Sequence, residues 1–389
     1  MVGFALAIAC VGIVTAVTGR IGDGNYAVSG DAHYIYLTAR SLAFDGDLDL
    51  TNQLRAFGDR WAYGRDPASD GWRFPPREIG PSLTMLPGLW LHHVVSAPAR
   101  LAPTFAVVVP AMSLAVLFLV LARILDRLEL GARSPDELAL VGTLGFVVPF
   151  YAVGRVGYAH APDAAVCALL LYALVRGASA WRVGALLALA VLFRLQNFLW
   201  LAWPVVESWR ARGRGDAGTW TRPATIGAVG LLGLAPQAWL AAMHPGTRLG
   251  PIRWGADFFD LDAYPADLFA VLMGGHGLLT WTPLAAIAIA GLLWAARTRD
   301  WPGAVPALTV LGAMVLLMAS VRDPSGGWAF GARRLSGCAG ILCVGVGLAG
   351  RTPLARARPH GWRALTWGLI AINLLLVGLA LSGRISLAP

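Results

Sequence analysis

What most constrains this chain is the recurrence of apolar runs: Gly3 to Thr18, Leu101 to Ala122, Leu138 to Val153, Ala164 to Val175, Val183 to Phe193, Phe198 to Val206, Ile226 to Ala242, Leu278 to Ala295, Val305 to Val321, Leu335 to Leu348 and Leu365 to Leu381. A bilayer span needs about 20 mostly apolar residues, and in lipid such a run satisfies its backbone as a helix. The chain therefore reads as an all-α, polytopic membrane protein with about eleven spans, roughly nine to thirteen given how boundaries are read. Val183 to Phe193 and Phe198 to Val206 flank the polar step Arg194-Leu195-Gln196-Asn197, so they are either two half-length helices or one span with a buried arginine. With 57% of its 389 residues apolar and 14% charged, the chain is not a soluble enzyme. The Met1 to Arg20 stretch lacks the basic start of a secretory signal, so a retained first span is expected.

All 31 basic residues are arginine, and the net charge is +9. They form no continuous basic face with interleaved aromatics, which excludes nucleic acid as the partner. Alternate loops carry Arg123, Arg127 and Arg133; Arg176 and Arg182; Arg210, Arg212, Arg214 and Arg222; Arg297 and Arg299; and Arg351, Arg356, Arg358 and Arg363. These fifteen arginines face only seven acids, whereas the remaining sixteen meet fifteen. Arginine-rich short loops stay cytoplasmic. That rule puts the N-terminus inside and the 20–100 loop outside a plasma membrane, on the side where charge is balanced.

That first outer loop holds nine of the 22 acids and many aromatic residues. Long loops in compact proteins are functional or disordered, and the aromatic content argues for folded structure. Its end, Gly80 to Ala97, is apolar but interrupted by Pro81, Pro87, His92 and His93. It reads as an amphipathic helix lying in the outer interface. No soluble domain is appended and no internal repeat is evident, so residues 1–389 read as a single membrane unit.

The densest polar cluster runs from Ser29-Gly30-Asp31-Ala32-His33-Tyr34 to Asp45, Asp47, Asp49 and Asn52. A carboxylate near a shielded pocket at the membrane boundary can gain basicity by desolvation and take a proton from an incoming hydroxyl. Asp31 fits that role, and equally fits a helix N-cap. Asp45, Asp47 and Asp49 lack the glycine and glutamate of a calcium loop and read as a solvated turn. A second outer cluster holds Arg155, His160 and Asp163; the acid is either a second carboxylate facing Asp31, the partner of an outer arginine, or a helix-start residue. His160 reads as a polar gate or hydrogen-bond donor, because no second histidine stands at ligand spacing. Two later outer loops add Arg253 and His276, and Trp328 with Arg333 and Arg334. Paired arginines after glycines suit the phosphate of a membrane lipid, or else anchor to head groups. The four cysteines have no ligand spacing, and no zinc site or disulfide framework is indicated.

Gly30-Asp31-x-x-Tyr34 after a first span, the large outer loop, Pro75-Pro76 with an interfacial helix, Gly277-Leu278-Leu279-x-Trp281-x-Pro283, and Trp328-Ala329-Phe330-Gly331-x-Arg333-Arg334 follow one another in an order that resembles the GT-C superfamily of polytopic membrane glycosyltransferases. That superfamily includes protein O-mannosyltransferases and the lipid A aminoarabinose transferase, and the stretches most resemble a bacterial, cell-envelope subgroup. The resemblance implies an inverting transfer of a sugar from a polyprenyl-phosphate donor to a lipid, glycan or protein acceptor at the extracytoplasmic face. By the same resemblance Asp31 is the general base, and Asp163 is a second acid from the next outer loop. Arg333 or Arg334 stabilises the leaving phosphate, and His33, Tyr34, His160, Arg253, His276 and Trp328 are candidates to line the pocket. Many members carry an acid directly after the base; Ala32 stands there, so no metal cofactor is indicated. Two readings from other classes compete: a lipid or solute transporter or flippase, which would place paired charges at mid-membrane, and a noncatalytic subunit of an envelope assembly complex.

Overall fold

The computed structural model describes residues 30–59, 71–75, 77–130, 133–212, 220–244, 259–260, 262–323 and 330–387, with Gly3 and Cys10 besides. The expected first span, Arg253 and Trp328 lie outside the described residues. Among the described residues the chain is helical and forms no strand; an isolated bridge joins Phe259 to Val321.

The first loop is folded. Helix α1 (Asp31–Arg40) continues into a π-helical turn, Ser41–Asp45, followed by α2 (Thr51–Phe57) and α3 (Leu86–Val94). Tyr34, Ile35, Leu37, Leu50, Leu54, Met85 and Leu89 form a small core of their own against Ala102, Ala106 and Val107. The acids of the Asp45–Asp49 run are structural. Asp47 accepts from the Ser41 hydroxyl (2.6 Å), and Asp49 accepts from the Thr51 hydroxyl (2.7 Å) and the Arg73 amide (3.0 Å). Prolines sit at the first positions of the short Gly80–Leu83 helix and of α3, where their missing N–H costs nothing, and they break what would otherwise be one longer helix. Nine residues rise only about 14 Å, too short to span. Helix α3 instead exposes Trp90, Leu91 and Val94 while burying Leu89, as an interfacial helix does.

The bundle follows: α4 (Val108–Leu128), α5 (Pro135–Leu144), α6 (His160–Val175), α7 (Ala180–Phe193), α8 (Ala202–Arg212), α9 (Thr221–Gly230), α10 (Ala235–Met243), α11 (Tyr264–Met273), α12 (Leu284–Thr298), α13 (Ala304–Ala319), α14 (Ala339–Ala349) and α15 (Pro359–Leu381). Among the described residues only Ala99–Leu128, Thr221–Leu240 and Pro359–Leu381 are long and apolar enough to cross a membrane unaided. A fourth span is possible from Tyr264–Trp281 and Leu284–Thr298, bent by 101° at their junction. These lengths do not confirm the expected count of about eleven spans. Leu138 to Val153 divides between α5 and a π-helical turn, Phe150–Gly154. The Val183–Val206 region resolves as two half-length helices: α7 stops at Phe193, Arg194 is extended (φ −155°), and a 3₁₀ segment, Leu195–Leu201, leads into α8.

The short helices pack closely. Gly291 of α12 faces Gly345 of α14, and a Cβ on either would run into the other helix's backbone. Such small-residue contact is how helices associate without a hydrophobic drive. At one end, the arginine-bearing loops are fastened together: Arg351 to Asp300 (2.8 Å) and to the Glu129 carbonyl (3.2 Å), Arg363 to Glu137 (2.9 Å), Arg210 to the Pro302 carbonyl (2.9 Å) and Arg222 to the Ala178 carbonyl (3.0 Å). The helices α6 and α7 rise only about 24 Å and 21 Å from that end, against a hydrocarbon thickness of about 30 Å. Their opposite ends carry His160 and Arg194.

Candidate active site

Gly30 turns the chain into α1 with φ at +58°, a left-handed conformation that disfavours any side chain, and a Cβ there would collide with the Tyr158 hydroxyl. This places Asp31 in the first turn, where its carboxylate makes no capping bond to its own helix. It pairs instead across the fold, with Arg77 (2.6 Å) and Arg333 (3.5 Å). The N-cap alternative is thereby set aside, and so is the expected gain in basicity. Burial pushes the Asp31 carboxyl up, but the charges of Arg77 and then Arg333 outweigh it, and the group lies below the ordinary carboxylate value.

Arg333 and Arg334 open a 3₁₀ segment, Arg333–Cys338, that feeds α14. Three ties hold it. The Tyr151 hydroxyl accepts from the Phe330 amide (3.1 Å) and donates to the Phe330 carbonyl (3.3 Å), while Phe150 stacks on the Phe330 ring at 4.8 Å. The Gln196 amide donates to the Arg334 carbonyl (2.5 Å). The Ser336 hydroxyl donates to Asp163 (3.0 Å). Arg334 reaches Asp323 (3.5 Å), yet among the described residues its buried Nη1 has no acceptor.

Asp163 is fully buried near the start of α6. Its oxygens accept from the Asn197 amide (2.6 Å), from Ser336 and, weakly, from the Cys167 thiol (3.8 Å). It does not face Asp31; it knots α6 to the Arg194–Asn197 step and to the Arg333–Cys338 segment. No arginine lies within ion-pair distance of it among the described residues. His160 receives a hydrogen bond at Nδ1 from Arg194 (2.9 Å). A guanidinium only donates, so Nδ1 accepts and the ring is neutral, with its proton on Nε2. A further hydrogen bond joins this ring to the Arg333 backbone.

His33 and Tyr34, expected to line the pocket, turn away. The His33 ring bonds the Gly58 carbonyl (2.9 Å) and the Tyr34 hydroxyl donates to Asp59 (2.5 Å), so both fasten the loop that follows α2. His33, two positions after Asp31, lies on another side of α1, whereas Tyr34, three positions after it, shares the Asp31 side and is tied elsewhere by its bond to Asp59. His276 is buried and stacks on Trp281 (6.1 Å, 7°), which meets Phe330 edge-on at 4.7 Å. These rings link it to the arginine segment.

The site also recruits arginines that spacing did not single out. Arg77 is one of several in the first loop, and Arg194 belongs to the polar step between two apolar runs. Arg77, Arg194 and Arg333 all act electrostatically on Asp31 and on Arg334, and Arg155 joins Arg333 beside Tyr158. Burial first, opposed by Asp323 and reinforced by Arg333, Arg194 and Arg77, holds the Arg334 guanidinium below its usual value. Arg77, Arg155, Arg194, Arg333 and Arg334 thus converge where Asp31, Asp163 and Asp323 are the nearby acids. Among the described residues the arginines outnumber these acids, at a partly desolvated place, the setting in which charge-assisted hydrogen bonds to an anion are strong. No grouping of three histidine, cysteine, aspartate or glutamate side chains among the described residues is placed to hold a metal ion.

No family model matches the chain, and no curated protein does. Two solved structures do match. Against the apo state of ArnT from Cupriavidus metallidurans the TM-score is 0.52 at 18% identity, covering 93% of this chain and 61% of that one. Against ArnT from the same organism bound to undecaprenyl phosphate the TM-score is 0.53 at 16% identity, covering 97% and 63%. The chain therefore spans under two thirds of the length of these proteins. The likeness shows the fold: over most of its length this chain shares the helical fold of these ArnT structures.

Proposed function

We propose that the protein is an integral-membrane glycosyltransferase that moves a sugar from a polyprenyl-phosphate donor to an acceptor, with inversion. The observation that carries the reading is the Asp31 carboxylate held between Arg77 and Arg333, inside a cluster of arginines that also includes Arg194 and Arg334. The fold likeness to ArnT, solved with undecaprenyl phosphate, supports a lipid-phosphate donor.

The chemistry follows from charge. A donor phosphate competes for Arg77 and Arg333, and as they turn to it the Asp31 carboxylate loses the two charges that suppress its basicity. Asp31 then takes the proton of the acceptor O–H. The acceptor oxygen attacks the anomeric carbon on the face opposite the C–O bond to phosphate. That bond breaks with its electron pair passing to the phosphate oxygen, so the sugar inverts and polyprenyl phosphate leaves. The arginines stabilise the charge that grows on the leaving phosphate, and no general acid is needed because the leaving group is already anionic. Asp163 is a positioning residue in this scheme, holding the segment that carries Arg333 through Ser336. The excess of arginine at the opposite end supports a cytoplasmic placement of that end, with the site extracytoplasmic.

The test incubates purified protein with a panel of labelled polyprenyl-phosphate sugars and follows free polyprenyl phosphate. An enzyme releases it with at least one donor in the presence of a hydroxyl acceptor. A transporter or an assembly subunit releases none with any donor, and that result would overturn the reading.

A further inference from the structure

Tyr158 closes a tight turn ahead of α6, its amide donating to the Arg155 carbonyl (2.9 Å). Its hydroxyl lies against the main chain that opens α1. A Cβ on Gly30 would run into the oxygen, and the Asp31 backbone N–H donates a hydrogen bond to it. The N–H groups of a helix's first turn have no carbonyl of their own helix to meet. A cap residue with a hydroxyl or carboxylate satisfies some of them. Gly30 carries no such group, and the Asp31 carboxylate is drawn off to Arg77 and Arg333. The phenol oxygen, from a different loop, is the acceptor supplied instead. Glycine admits it, because at a φ of +58° a side chain would be strained and would also fill the oxygen's place.

The ring behind the hydroxyl is fixed as well. It faces His160 at 6.1 Å, 24° from parallel, and Tyr151 at 5.9 Å, and those two rings lie 4.3 Å apart. Tyr151 bonds the Phe330 backbone, and His160 bonds the Arg333 backbone. One aromatic row thus touches the residue that carries the carboxylate and the segment that carries Arg333. The carboxylate hangs from the Asp31 backbone on a short side chain, so it follows wherever that amide is held.

We infer that Tyr158 is a positioning residue: by accepting from the Asp31 N–H, its hydroxyl oxygen sets where the Asp31 carboxylate stands relative to Arg333 and to an incoming hydroxyl, an assignment that rests on the reading of Asp31 as the general base. A base must come within about 2.6–3.2 Å of the atom whose proton it takes, and a misplacement of about 1 Å costs on the order of 100-fold in rate. Tyr158→Phe deletes the oxygen and keeps the ring, so the row still holds the Arg333 segment while the first turn of α1 is released.

Two measurements on the whole protein in nanodiscs test this. With isotope-labelled aspartate, the Asp31 amide signal is identified by NMR as the one missing from Asp31→Asn, and its hydrogen exchange is followed. It is expected to be protected in the wild type and to exchange about five- to tenfold faster in Tyr158→Phe, the loss of one hydrogen bond. Turnover of a labelled polyprenyl-phosphate sugar is then compared. In Tyr158→Phe kcat is expected to fall by about 10- to 100-fold, with the KM for that donor within about twofold of wild type. A group that served folding alone would lower the melting curve and leave kcat per folded molecule unchanged. An unprotected Asp31 amide in the wild type overturns the inference without any variant. Wild-type kcat in folded Tyr158→Phe, or a loss confined to the donor KM, overturns it as well and leaves Asp31 as base. Absence of turnover in the wild type with every donor overturns the reading of Asp31 itself, and this assignment with it.

Discussion

Asp163→Ala separates a positioning acid from a reacting one. The native carboxylate is fully buried and receives two short hydrogen bonds, from Asn197 (2.6 Å) and Ser336 (3.0 Å). Two bonds to a charged acceptor are worth about 1.5–3 kcal/mol each in soluble proteins, but hydrogen bonds between membrane helices average about 0.6 and reach about 1.7. Because the knot joins ends of apolar, membrane-type helices, the smaller scale governs, and to it is added the cost of leaving two buried donors unmet. The expected loss is therefore about 2–4 kcal/mol. Thermal unfolding of the protein in nanodiscs measures it, and the same samples are assayed for polyprenyl phosphate release. Asp163→Asn keeps one acceptor oxygen and is expected to lose about half as much stability and to retain turnover. If Asp163→Ala unfolds within about 0.5 kcal/mol of wild type, the knot is not structural and the reasoning fails. If Asp163→Asn is fully stable yet inactive, the carboxylate reacts and does not merely position.

Three more outcomes follow from the same geometry. Because Asp31 is held below its ordinary value, its carboxylate adds stability above the unfolded-state value of about 3.9 that is lost as pH falls through the folded one; the acid limb of kcat/KM due to Asp31 accordingly lies low, and Arg77→Gln moves it to higher pH, whereas an unmoved limb removes Asp31 from the reaction. Gly30→Ala forces a side chain into a left-handed turn, costing about 1–2 kcal/mol, and against the Tyr158 hydroxyl; adding Tyr158→Phe should recover only part of the lost activity, and full activity in Gly30→Ala alone would refute the close approach. Tyr151→Phe deletes both bonds to the Phe330 backbone and should lower kcat with about 1–2 kcal/mol of stability, a loss visible in turnover and in the melting curve; no change in either would contradict the tie.

Much of the fold was legible because lipid leaves little choice: apolar runs become helices, and arginine-rich loops gather at one end. The number of full spans was not legible, since hydropathy counts apolar residues while helix length depends on where proline, Arg194 and π-turns interrupt them. The site was half visible. Asp31 and Arg333 stood out by resemblance, yet they lie some three hundred residues apart and only packing brings them to 3.5 Å. Arg77 was hidden among like arginines of its loop, and its contact crosses 46 positions. His33 and Tyr34 look like site residues because they adjoin Asp31 in the chain, but their hydrogen bonds tie them to Gly58 and Asp59.

The central claim, that Asp31 is the base and the arginines hold the donor phosphate, is tested most directly by one paired measurement on Asp31→Asn: binding of a labelled polyprenyl-phosphate sugar, and release of polyprenyl phosphate from it. The account predicts binding at least as tight as wild type, since an anion no longer competes for Arg77 and Arg333, together with no turnover. Turnover at the wild-type rate, or loss of donor binding in a folded Asp31→Asn protein, would contradict it.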